Sequence, residues 1–117
     1  MVLIVEDNAN ARELFARIVS GLGHEVLESE DGADALRLLD IHEVDLVITD
    51  LRMPKMDGFS LISHVRLKWP RLPIVLVSGY VSPDEVTKNR DEFLEIIPKP
   101  VDRGHLIATV NRFVPAS

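Results

Sequence analysis

The stretch DLVITDLRMPKMDG, residues 45–58, decides the fold. It opens with an almost wholly apolar run, reaches Asp50, and then becomes a loop that contains Pro54 and ends on Asp57-Gly58. A short apolar run bounded by polar and turn residues is typical of a strand buried on both faces of a parallel sheet. We therefore predict that Asp50 lies at the carboxyl end of a central strand and that Asp57 caps the helix that follows.

The same alternation of an apolar run and an amphipathic stretch extends along the whole chain. The five runs are residues 2–5, 26–27, 45–49, 73–77 and 94–97. Strands that alternate with helices in this way predict an α/β fold, a (βα)5 doubly wound five-stranded parallel sheet with helices on both faces. The second and fifth runs carry more charge, which favours positions at or near the sheet edges.

Polar residues that can cap a helix precede each amphipathic stretch: Asn8, Asp31, Asp57, either Ser82 or Asp84, and Asp102. The third helix is expected to stop at Pro70, and the short fourth helix has Val86 as its clear apolar anchor. Residues predicted to share the buried face of the first helix are Ala11, Leu14, Phe15, Ile18, Val19 and Leu22.

Size and composition restrict the function. The 117 residues predict one domain over residues 1–117, and no cysteine is available for a disulfide or a thiolate metal site. The net charge of −6 argues against nucleic-acid binding, which needs basic patches. Apolar runs stay far below the ~20 residues of a membrane span, and no secretion signal is visible, so a cytoplasmic protein is expected.

Side chains at the carboxyl ends of the predicted strands form a chemically consistent set. In a doubly wound sheet these ends line the active crevice. They would bring together Glu6, Asp7, Asp50, Ser78 and Lys99. Three clustered carboxylates repel one another unless a cation neutralises them, and oxygen ligands without cysteine or histidine favour Mg²⁺. Asp50 would then be a nucleophile toward phosphorus, with Lys99 and Ser78 binding the oxygens of the moving phosphoryl group.

Each of these residues alone has a simpler explanation. A Glu-Asp pair after a strand often serves as a helix cap, Ser78 before a glycine can form a turn, and Lys99 between two prolines can be a solvated loop residue. The prediction depends on their joint occurrence at the strand ends.

At this point the chain resembles the receiver domain of two-component response regulators over essentially its whole length. The segments that carry the resemblance are VLIVED (2–7), DGADAL (31–36), DLVITDLRMPKMDG (45–58), PIVLVSG (73–79) and PKP (98–100). The resemblance implies a flavodoxin-like fold with strand order 2-1-3-4-5 and a phosphoacceptor that catalyses its own phosphorylation and dephosphorylation rather than an enzyme. It also implies a histidine kinase or phosphotransfer protein as donor and a protein target downstream.

The resemblance also implies a role for each site residue. Asp50 matches the phosphorylated aspartate, Ser78 the switch hydroxyl, and Lys99 the lysine that pairs with the phosphoryl group. Asp7 matches the direct Mg²⁺ ligand and Glu6 the second acid, which often acts through water. Arg52 occupies the position that supplies a backbone carbonyl to the metal. By the family pattern, the Lys99-Pro100 bond is cis.

Two departures from the family pattern concern switching. Ile96 stands where the family often has an aromatic residue, and Glu92-Phe93 replaces the usual Gly-Ala before it. Signalling by backbone or loop motion is expected instead, and dimerisation through this face is left open. Val77-Ser78-Gly79-Tyr80 together with Ile96 is similar to receivers attached to hybrid sensor kinases.

Three other functions are alternatives at this point. An aspartyl-nucleophile phosphohydrolase would commonly carry a second aspartate where Arg52 stands and a cap insertion for substrate. A pseudo-receiver that acts as a constitutive binding module is kept open by Ile96. A flavin or nucleotide carrier would need a glycine-rich phosphate loop after the first strand, which is missing.

Arg52 and Tyr80 each lie two residues beyond a site residue. We hypothesise that they gate water access to an acyl phosphate, so that replacing both by small residues changes the dephosphorylation rate. The four histidines, His24, His42, His64 and His105, are expected at the surface.

Overall fold

The computed structural model describes residues 1–89 and 91–115, so the last two residues of the predicted 1–117 domain lie outside the described ranges. Strands and helices alternate as β1 (Val2–Val5), α1 (Ala9–Gly21), β2 (Val26–Ser29), α2 (Gly32–Ile41), β3 (Leu46–Asp50), α3 (Gly58–Lys68), β4 (Ile74–Ser78), α4 (Pro83–Lys88), β5 (Leu94–Pro98) and α5 (Arg103–Phe113). The longest helix, α1, has 13 residues, and no helix in the described ranges is long and apolar enough to cross a membrane.

All five strands are parallel, in the order β2-β1-β3-β4-β5. This confirms the predicted fold and the edge positions of the second and fifth strands. β3 and β4 each begin and end one residue later than predicted, so Asp50 and Ser78 are themselves the last residues of their strands. β2 extends two residues further than predicted, to Ser29.

The sheet divides the apolar interior into two layers. Along β1, Val2 and Ile4 face the layer that α1 and α5 cover, whereas Leu3 and Val5 face the layer under α2 and α3. Successive strand residues point to opposite faces, so a strand covered on both sides must be apolar throughout. The doubly wound arrangement follows from that pattern.

Side-chain caps begin all five helices. The caps are Asn8, Asp31, Asp57, Ser82 and Asp102, and each side chain accepts a hydrogen bond from the backbone N–H three residues later. Between the two candidates for α4, the structure selects Ser82, because Glu85 donates its backbone N–H to the serine and accepts from the Ser82 N–H in return. As predicted, α3 ends at Lys68, before Pro70.

Two apolar residues are less buried than the sequence predicted. Leu14 is 53% exposed, because it lies roughly 90° around the helix from the middle of the stripe formed by Phe15, Ile18 and Val19. Val86 is 41% exposed, and α4 buries none of its residues. The fourth helix therefore adds no buried side chain to the core.

Backbone hydrogen bonds just beyond the strand termini hold the carboxyl ends of β3, β4 and β5 in register. The Leu51 N–H donates to the Val77 carbonyl at 3.1 Å, and the Lys99 N–H donates to the Ser78 carbonyl at 2.9 Å. These bonds continue the parallel ladder into the loops that carry the predicted site residues. The Lys99-Pro100 bond is cis, as expected.

Candidate functional site

Three carboxylates meet at the carboxyl ends of β1 and β3. Oxygen atoms of Glu6, Asp7 and Asp50 lie within 4.8 Å of one another. Glu6 and Asp50 are buried, with 3% and 6% of their surface exposed, whereas Asp7 is exposed. The three acids come together as the strand-end argument predicted, and the structure adds that one of them is exposed and two are buried.

The chemistry of this cluster fits a divalent cation. Oε2 of Glu6 is buried and accepts no hydrogen bond from the described residues, and the buried Oδ1 of Asp50 has only an ion-pair contact with Lys99 there. Buried oxygens normally have a partner, and hard oxygen ligands with an open side toward water suit Mg²⁺. The acidic cluster could thus bind a metal ion.

Electrostatics in the cluster favour neutralisation. The pKa of Glu6 is raised from 4.5 to about 7, mainly by burial and also by the neighbouring Asp50 and Asp7, while Lys99 acts in the opposite direction. Desolvation and like charges both disfavour a carboxylate, so without a cation the cluster tends to hold a proton. The charge state of Glu6 therefore depends on what else occupies the crevice.

Lys99 supplies a positive charge to the cluster. Its Nζ lies 2.8 Å from Oδ1 of Asp50, as an ion pair that is not aligned as a hydrogen bond, and its side chain is 41% exposed. The contact with Asp50 raises the pKa of Lys99. An ammonium ion at this distance from the carboxylate is placed to stay beside any negative charge added there.

Asp50 is held by its backbone as well as by the sheet. The hydroxyl of Thr49 donates to the Asp50 carbonyl at 3.0 Å. Gly58 begins α3 so close to the end of β3 that an added Cβ would lie 2.8 Å from that same carbonyl oxygen. The Gly58 N–H donates to the Leu51 carbonyl at 2.8 Å. Asp57-Gly58 was expected in the loop, but this close approach was not.

Ser78 lies at the same end of the sheet as the acids, but its hydroxyl is hydrogen-bonded within the loop that follows β4. Ser78 is buried, donates to the Tyr80 carbonyl at 2.9 Å, and accepts from the Tyr80 N–H at 3.3 Å. The side chains of Tyr80 and Arg52 are exposed. Ile96 is half-buried and lines a groove of about 240 Å³ with Val86, Asn89, Asp91 and Leu94.

Arg12 lies next to the cluster, although nothing in the sequence predicted it there. Nη1 of Arg12, in α1, donates to the backbone carbonyl of Glu6 at 2.8 Å, and Nε lies 3.4 Å from Oε1 of Glu28. A contact from a side chain to a backbone carbonyl leaves no residue pattern that would reveal it. The four histidines lie away from the cluster; three are exposed as expected, whereas His24 is partly buried.

Comparison with known proteins agrees with this geometry. Residues 2–111 match the family described as the response regulator receiver domain. The chain belongs to this family. Receiver domains of response regulators pair with histidine kinases and downstream effectors in two-component systems, and the chain is consistent with phosphorelay signalling. The match covers the five strands and nearly all of α5.

Relatives of this receiver domain include both regulators and kinases. Transcriptional regulatory protein GlrR of Escherichia coli is 32% identical over 94% of this chain, which spans about a quarter (25%) of that relative's length. The receiver domain of NtrX from Brucella abortus superposes with a TM-score of 0.86 at 27% identity, covering 100% of both chains. The receiver domain of a signal transduction histidine kinase from Syntrophus aciditrophicus gives 0.85 at 27% identity, covering 97% of this chain and 88% of that one.

Proposed function

We propose that this receiver domain, spanning residues 1–117, takes up one phosphoryl group on the Asp50 carboxylate in a Mg²⁺-dependent reaction. The donor is a histidine kinase or a phosphotransfer protein, and a protein target reads the resulting change. The observation that carries the proposal is the convergence of the three acids within 4.8 Å, with Lys99 Nζ 2.8 Å from Asp50.

Asp7 and Asp50 would hold the metal directly, Glu6 through water, and Arg52 through its backbone carbonyl. Bound there, Mg²⁺ would neutralise the acids and polarise the phosphoryl oxygens. Its presence also favours the ionised form of Glu6, against the burial that raises that pKa.

The chain's own residues then account for the transfer. A carboxylate oxygen of Asp50 forms a bond to phosphorus while the bond from phosphorus to the donor's imidazole nitrogen breaks, and its electron pair returns to that nitrogen. Lys99 stays beside the added charge, and the Ser78 hydroxyl turns from the Tyr80 carbonyl to a phosphoryl oxygen. Asp50 is restored by hydrolysis of the acyl phosphate, so the domain is a switch rather than a turnover enzyme.

The conformational change would pass from Asp50 to the protein target through the loop after β4. Ser78 is joined to Tyr80, and Tyr80 leads into α4, which has no buried residue to hold it. Ile96 offers no aromatic ring to rotate. Motion of the loop and of α4 is therefore the route that this chain retains, and a partner reading it would contact the groove beside Val86.

Intact mass after incubation with acetyl phosphate tests the proposal. We expect a gain of one phosphoryl group that needs both Mg²⁺ and Asp50, and no gain in Asp50→Asn. Asp57→Asn is a matched control, because asparagine can still cap α3 and the variant should be phosphorylated normally. A gain in Asp50→Asn would place the acceptor elsewhere. No gain in wild type, with acetyl phosphate or with a phosphorylated histidine donor, would favour the pseudo-receiver.

A further inference from the structure

The turn that carries Glu6 and Asp7 is fixed from three sides. The Glu6 N–H donates to the Ser29 carbonyl at the end of β2 at 3.0 Å. The Glu6 carbonyl accepts from Arg12 at 2.8 Å, and the Asn8 side chain caps α1 by accepting from the Ala11 N–H. Among the hydrogen bonds of the described residues, Arg12 is the donor that holds the Glu6 carbonyl.

Holding that carbonyl fixes more than one residue. The carbonyl of Glu6 and the N–H of Asp7 belong to one planar peptide unit. An anchored oxygen therefore fixes the plane and, with it, the directions in which the chain leaves toward both Cα atoms. Asp7 is exposed, so the backbone of this turn sets the position from which its carboxylate reaches the cluster.

Arg12 is itself held in place. Its side chain is only 18% exposed, its backbone N–H bonds the Asn8 carbonyl at 2.9 Å, and its guanidinium contacts Glu28 of β2. Its contact with Glu6 is to the backbone carbonyl, so Arg12 acts on the backbone of the turn.

We propose that Arg12 is a positioning residue for the metal site and that Glu28 positions Arg12, so that the end of β2 helps to set Mg²⁺ affinity. The inference rests on the proposed function, because it assumes that the acidic cluster binds Mg²⁺. Groups that orient metal ligands typically contribute 10- to 100-fold in metal affinity when removed.

Isothermal titration with Mg²⁺ tests this, alongside urea unfolding without metal. We expect Arg12→Ala to weaken Mg²⁺ binding about tenfold. Arg12→Lys should recover part of the loss, since an ammonium can still donate to the Glu6 carbonyl. Glu28→Gln should weaken binding less than Arg12→Ala does. Arg17→Ala is the matched control: Arg17 lies on the same helix in an exposed ion pair with Glu13, and its removal should leave Mg²⁺ affinity unchanged.

The outcomes separate the two hypotheses. If wild type takes up no Mg²⁺, the proposed metal site has failed. If wild type binds Mg²⁺ and Arg12→Ala binds it equally well while unfolding more easily, the metal site stands and Arg12 is merely structural, which overturns the inference. A loss in Arg12→Ala that Arg12→Lys does not relieve would also overturn it, because the carbonyl contact would not be the cause.

Discussion

The hydroxyl of Ser78 donates to the Tyr80 carbonyl at 2.9 Å and accepts from the Tyr80 N–H at 3.3 Å, so it is engaged within the loop that follows β4. A phosphoryl group on Asp50 would offer a charged acceptor, which binds a hydroxyl more strongly than a neutral carbonyl does. Turning toward it would release both bonds to Tyr80. Ser78 is therefore the residue through which charge at Asp50 can loosen the approach to α4.

Phosphorylation is expected to raise amide hydrogen exchange across residues 79–89 in wild type. Losing a hydrogen bond worth about 1 kcal/mol should accelerate exchange roughly fivefold. In Ser78→Ala, compared at matched phosphoryl occupancy measured by intact mass, the rise should be absent. Ser63→Ala removes a hydroxyl that bonds the Phe59 carbonyl and should keep the rise. An undiminished rise in Ser78→Ala would contradict this route.

The pKa of Glu6 predicts how stability without metal depends on pH. The folded value of about 7 exceeds the unfolded value of 4.5, so between these values the folded chain keeps a proton that the unfolded chain releases. The free energy of unfolding should therefore fall as pH rises from 4.5 to about 7, by on the order of 1–3 kcal/mol.

Urea unfolding in a chelator, at about pH 5 and about pH 8, measures this effect. Glu6→Gln should remove most of the fall, because its side chain does not titrate. Glu43→Gln alters an exposed acid and should leave the pH dependence as in wild type. A fall of the same size in Glu6→Gln would assign the effect to another group.

Gly58 should tolerate no side chain. A Cβ there would lie 2.6 Å from Leu76 Cδ1, 2.8 Å from the Asp50 carbonyl oxygen and 3.0 Å from Leu51 Cα. Gly58→Ala is expected to lower the free energy of unfolding by about 1–3 kcal/mol, as overpacked cores do. Gly21→Ala meets nothing within 4 Å and should be neutral or stabilising by up to about 1 kcal/mol. Equal unfolding midpoints in urea for the two variants would refute the steric argument.

Arg66 joins three segments near the amino-terminal ends of β4 and β5, at the end of the sheet opposite the acidic cluster. Its guanidinium pairs with Asp91 at 2.6 Å and donates to the carbonyls of Trp69, Leu72 and Phe93. The pair is largely buried, with side chains 17% and 23% exposed. Arg66→Ala leaves Asp91 and the carbonyls without this donor, and we expect a loss of about 2–4 kcal/mol in urea unfolding.

An exposed ion pair provides the control for Arg66. Arg37 pairs with Asp34 at 2.8 Å, but its side chain is 62% exposed. Arg37→Ala should cost at most about 1 kcal/mol. If Arg66→Ala and Arg37→Ala lower the free energy of unfolding by similar amounts, the contacts of Arg66 with Asp91 and the three carbonyls stabilise the fold no more than an exposed ion pair does.

Local chemistry and a topological rule explain what the sequence predicted. Each helix cap bonds a backbone group three residues away, so Asn8 or Asp102 can be identified without knowing the rest of the fold. Glu6, Asp50 and Lys99 come together because the carboxyl ends of parallel strands lie at the same end of the sheet. That rule predicts which residues are neighbours, but it does not predict where their side chains point.

Contacts between distant segments explain what was missed. The bond from Arg12 to the Glu6 carbonyl and the clamp from Arg66 to Asp91 link residues whose proximity depends on the finished packing. Leu14 has the periodicity of the buried stripe, yet it lies at the margin of the surface that the sheet and α5 cover. The Ser78 hydroxyl points toward Tyr80 because of its side-chain rotamer, and the sequence alone does not predict a rotamer.

The position of Trp69 has a practical consequence for spectroscopy. It is the sole tryptophan of the chain, and its carbonyl accepts from the Leu72 N–H just before β4 begins. The acidic cluster lies beyond the other end of that strand, roughly 16 Å away along five residues. The fluorescence of Trp69 should therefore not change when a metal ion or a phosphoryl group binds at the acidic cluster, and it should change when the end of α3 frays. A fluorescent reporter of the switch would have to be introduced near Tyr80.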